Sequence, residues 1–124
     1  MTFTEKQLTA ILKVGTLMVF ADGRVENAET MVVAQEFARL GVRDGERFKR
    51  LHNLSEAMSN EDMFSTITNM NYEQKKYVTA FLGVILAIDG NIDDKEMALW
   101  TLTSLICKLP QMNINDAIDY LNSL

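Results

Sequence analysis

Six carboxylates fall into three pairs at one spacing along this chain. Asp22 stands with Asp89, Glu26 with Asp93 and Glu29 with Glu96, each pair 67 residues apart. Carboxylate oxygens suit hard divalent cations such as Ca²⁺, Mg²⁺ and Mn²⁺. A fold that gathered both sets would make a cation site from oxygen ligands alone. Crowded anions raise one another's pKa unless a cation or a basic side chain relieves them. The same residues also fit a structural purpose. Asp93-Asp94-Lys95-Glu96 has the form of a capping box, and acids in a first helical turn favour its positive end. Glu26 and Glu29 copy the spacing, with Glu a weaker cap than Asp. Asp22 and Asp89 fit capping less well, because each ends a helix, where a negative charge opposes the dipole. An Asp before Gly can still bond to amides two residues on. On sequence alone both readings stand.

The acids sit in two copies of one motif, Asp22-Gly23-Arg24-Val25-Glu26-Asn27-Ala28-Glu29 and Asp89-Gly90-Asn91-Ile92-Asp93-Asp94-Lys95-Glu96. Each copy follows an apolar helical run, Ile11 to Ala21 and Phe81 to Ile88. The offset predicts one helix–turn–helix unit used twice, with repeat 1 over about 4–40 and repeat 2 over about 71–109. Apolar residues recur at helical spacing and predict helices over 4–20, 27–40, 44–58, 61–68, 72–88, 94–109 and 114–121. Asn60, Asn71 and Asn113 are expected caps, Gly23 and Gly41 expected stops, and Pro110 lies just past the sixth helix. Phe48, Leu51, Leu54 and Met58 are expected to face inward from the third helix. Ile114, Ala117, Ile118 and Leu121 are expected to do so from the seventh. Val25 and Ile92 read as apolar plugs between the hairpin helices, and Trp100 as a core anchor. No segment alternates as a strand would. The expected fold is all-α: one domain over 1–124, a compact bundle of about seven helices with an internally duplicated helix–Asp-Gly turn–helix hairpin.

The run D-G-x-[VI]-x-x-x-E overlaps part of an EF-hand calcium loop. The first and third ligand places would then be Met18 and Phe20, or Ile85 and Ala87, which cannot bind a hard cation. An EF-hand is excluded.

The twin helix–Asp-Gly–helix motif resembles that of the TerB-like family of tellurite-resistance proteins. The matching stretches are Phe20 to Val25 with Glu29, and Ala87 to Ile92 with Glu96. The second copy has Ile88 where the first has Ala21. The resemblance implies an all-helical, cytoplasmic bacterial stress protein. It also implies divalent-metal binding through clustered acids and association with larger membrane-associated complexes. Asp22, Glu29, Asp89 and Glu96 match the family motif; Glu26 and Asp93 join the candidate ligands from the internal repeat.

Composition narrows the functional class. The chain has 124 residues, a formal net charge of −5 and an apolar fraction of 48%. A surplus of acid argues against nucleic acid, which needs Lys and Arg on one face. The longest apolar stretches fall short of the ~20 residues of a membrane span. The polar N-terminal residues do not read as a signal peptide, so the cytoplasm is the expected compartment. The single cysteine, Cys107, lies in an apolar run and reads as a buried thiol. His52 reads as a surface or partly buried side chain with Glu56 one turn on. No glycine pattern matches a phosphate loop, and no nucleophile–base pair is apparent. The leading expectation is a non-enzymatic stress-response domain that binds protein partners, with a cation site at the paired acids. The alternative is a structural interaction module whose acids only cap helices. A metal-dependent hydrolase ranks third, since it needs an open cleft beside the acids.

Overall fold

Two capping boxes start the two central helices. Thr4 Oγ1 accepts the Gln7 amide at 3.1 Å and Gln7 Oε1 accepts the Thr4 amide at 2.9 Å. Asn71 and Gln74 make the same reciprocal pair at 2.9 and 3.0 Å. Each box satisfies two amides that the first turn leaves without a helical acceptor. The computed structural model describes residues 1–21, 23, 24, 27–88, 90 and 92–124. Among these it forms seven helices and no strand: α1 Glu5–Val19, α2 Asn27–Arg39, α3 Gly45–Ala57, α4 Asn60–Thr68, α5 Tyr72–Ala87, α6 Asp94–Cys107 and α7 Ile114–Asn122. The all-α bundle expected from the helical spacing is the observed fold.

The helices α1 and α5 run side by side in the same direction. Gln74 Nε2 donates to Gln7 Oε1 at 3.2 Å near their starts. Further along, Gly15 comes so close to α5 that a Cβ there would lie 2.9 Å from Phe81. From Val78 to Leu86 every residue of α5 but Val84 is buried, because this helix has neighbours on most sides. It packs against α1, α2, α6 and α7, while α3 and α4 cover α1. Phe81 lies inside this layer, stacked on Tyr77 at 6.1 Å between centroids and 6.4 Å from Phe37.

Several expected details differ. Ser59, not Asn60, caps α4: its hydroxyl accepts the Asp62 amide at 3.0 Å, and Asn60 is already helical. The sixth helix stops at Cys107 and not at Leu109, because Lys108 turns left-handed with φ 55° and Leu109 N–H returns to Ser104 O at 2.9 Å. Leu54 is exposed, since α3 buries the face of Leu51 and Ser55 instead. Ile118 is also exposed, because α7 seats the Ala117–Leu121 stripe one step round. Ile92 lies exposed in the turn and is no plug. Trp100 is a buried anchor as expected, with its indole N–H bonded to Thr79 O at 3.2 Å.

Candidate functional site

Each central helix ends in a glycine turn. Gly23 and Gly90 have φ of 80° and 76°, the left-handed region that a Cβ disfavours. Their amides return to Phe20 O and Ala87 O, both at 3.0 Å. Because α1 and α5 are parallel, both turns lie at one end of the bundle. The next helices then begin. Asp93 is the N-cap of α6, with Oδ1 accepting the amides of Lys95 at 2.8 Å and Glu96 at 3.4 Å. Its capping role is therefore as expected, and that oxygen is committed to main chain.

Glu29 and Glu96 occupy the third positions of α2 and α6, and each is only 1% exposed. Both take part in interactions within the fold. Capping alone would leave such a glutamate at the helix surface; here both carboxylates are carried inward. Asp22, Glu26 and Asp89, the remaining three candidates, lie outside the described residues, as do Val25 and Asn91. Among the described residues no three acids, histidines or cysteines are grouped to hold a metal.

A second polar cluster was not foreseen from sequence. Glu36 is buried, with Oε1 accepting the Tyr77 hydroxyl at 2.7 Å. Arg39 lies 3.3 Å from the other Glu36 oxygen and donates to Leu121 O at 2.7 Å. Its signal was present: Glu36 follows Glu29 by two helical turns, on the face of Val33 and Phe37. Burial, and next the Glu36 carboxylate, hold the Tyr77 phenol far above its usual range. The folded state therefore keeps its proton where the unfolded chain loses it. The stability is full below about pH 10 and falls as pH rises above it. Thermal melts across that range should show this decline, with Tyr77→Phe flattening it and lowering Tm at neutral pH. Tyr120, also raised by burial, leaves a residual slope.

The chain is 43% identical to protein PG1108 of unknown function from Porphyromonas gingivalis W83, whose crystal structure superposes with a TM-score of 0.86. The match covers 98% of this chain and 92% of that one. The chain belongs to the PG1108 family. No family model matches it, and neither does any curated protein. PG1108 itself is of unknown function, so membership in its family carries the fold and leaves the acids to be read by their chemistry.

Elsewhere on this PG1108-family fold, other candidates for chemistry are accounted for structurally. The Cys107 thiol is buried with Sγ 3.6 Å from Phe64 O, and burial pushes its pKa up, away from a nucleophile's. His52 is half exposed and lies 3.4 Å from Glu56, one turn on. A mainly apolar groove of about 510 Å³ lies between α6 and the segment from Leu109 to Asp116, and none of the described candidate acids, Glu29, Asp93 and Glu96, lines it. Among the described residues no helix is long and apolar enough to cross a membrane.

Proposed function

We propose that this protein is a non-enzymatic, TerB-like stress-response domain whose two glycine turns hold a divalent cation between their acids. The observation that carries the reading is the matched burial of Glu29 and Glu96. Withdrawing a carboxylate from water costs several kcal/mol unless a cation or strong hydrogen bonds compensate it. Two such acids, at equivalent positions of helices that start from the same end of the bundle, supply oxygen donors suited to Ca²⁺, Mg²⁺ or Mn²⁺. A cation bound there would add to the interactions they already make within the fold and tie the two hairpins together.

The 67-residue offset supports the duplicated-hairpin part of the reading. It relates the two capping boxes, the two positive-φ glycines, and Gly41 (φ 96°) to Lys108 (φ 55°). It also relates the amide of Val42 bonded to Phe37 O to that of Leu109 bonded to Ser104 O. The cap made by Asp93 favours the second reading, a structural interaction module. In either case the domain acts by binding protein partners and not by turning over a substrate.

Isothermal titration of the protein with Ca²⁺, Mg²⁺ and Mn²⁺ separates the two. Wild type should give saturable heat with at least one ion, and Glu29→Gln/Glu96→Gln should abolish it while remaining folded by circular dichroism. No heat with any ion removes the cation and leaves the structural module.

A further inference from the structure

The sixth helix carries apolar residues on two faces. Trp100, Thr103 and Cys107 turn into the core. On the other side Leu102 is 52% exposed, Leu105 72% exposed, and Ala98 is open to solvent as well. A leucine left that bare gains from leaving water, by about 25 cal/mol for each Å² covered. Along this face the order is Asp94, Ala98, Leu102, Leu105, Lys108. Steps of four and three keep the first four on one side of the helix, and Lys108 is the exposed left-handed residue at its end. A negative charge opens the stripe and a positive one closes it, and both are exposed.

We propose that this face is the contact of a homodimer, in which the α6 helices of two copies pack antiparallel about a two-fold axis near Thr101. A two-fold contact requires a patch complementary to itself. This stripe is so in only one direction. Antiparallel, Asp94 of each copy meets Lys108 of the other, and the small Ala98 lies opposite the large Leu105. Parallel, Asp94 would meet Asp94, and Lys108 would meet Lys108. The opposed helix dipoles also favour the antiparallel arrangement. Opposite charges at the rim set direction and register, while the leucines supply the burial.

Sedimentation equilibrium on the full chain at low ionic strength tests this directly. Wild type should be a monomer–dimer equilibrium. Leu105→Glu should weaken it about tenfold or more, because a carboxylate replaces the central apolar contact. Its fold should be intact, since that side chain makes little use of the monomer core. Asp94→Lys and Lys108→Asp should each weaken the dimer about twofold to fivefold, the range of exposed ion pairs. The double variant Asp94→Lys/Lys108→Asp should restore it, because the swapped charges still pair across the axis. A wild type that stays monomeric throughout overturns the proposal and leaves the face to another partner. So does a dimer that survives Leu105→Glu. A double variant no stronger than the singles overturns the antiparallel register. None of these outcomes depends on the cation reading.

Discussion

Phe81→Ala lowers the unfolding free energy by about 3–5 kcal/mol. The ring is wholly buried and touches several elements at once. It stacks on Tyr77, meets Phe37 of α2 at 6.4 Å, and lies against Gly15 of α1. Truncation removes the transfer energy of six ring carbons and leaves a cavity. Deletion removes the ring against which Gly15 of α1 rests, so the packing of α1 on α5 is lost with it. Urea unfolding should show the midpoint falling with an unchanged slope, the signature of lost stability without a change in exposed surface. Phe81→Leu should recover part of the loss, since it refills some of the volume.

Gly83→Val is expected to destabilise by about 1–3 kcal/mol or more, in spite of the entropy that a glycine costs a helix. A Cβ at Gly83 would already stand 2.9 Å from the Trp100 ring and 3.0 Å from Ala117 Cβ. Trp100 is pinned by its bond to Thr79 O, and Ala117 belongs to the buried seam of α7. Neither neighbour yields easily, so valine's two further methyls force α6 or α7 away from α5. The measurement is a thermal melt, with Gly45→Ala as control. A Cβ at Gly45 meets nothing within 4 Å, so that substitution should be neutral or slightly stabilising. A Gly83→Val protein as stable as wild type would show that the packing of α5 on α7 is looser than described.

Helical periodicity located all seven elements to within about two residues, because long amphipathic runs with glycine and asparagine punctuation leave few alternatives. The two misplaced core residues share one cause. Leu54 and Ile118 are apolar and lie beside true core positions, and sequence spacing alone does not say which neighbour the tertiary contact takes. Glu36 gives no local sign of burial: it is charged, and its partner Tyr77 lies forty-one residues further on. The candidate acids divide in the same way. Asp93 was legible as a cap because capping is local. The burial of Glu29 and Glu96 was not legible, since it depends on where α1 and α5 bring their ends. A parallel pairing of these helices leaves no mark in either segment by itself.

That pairing bears on how the chain is made. The first helix is complete by Val19, yet α5 ends only at Ala87. At about 5–20 residues per second, a ribosome needs roughly 3–14 s to bridge that interval. Throughout it the face of α1 at Gly15 lacks Phe81 and Ile85. Nascent α1 therefore needs temporary shelter, and a truncation ending before Tyr72 should clump in the cell where the whole chain stays dispersed.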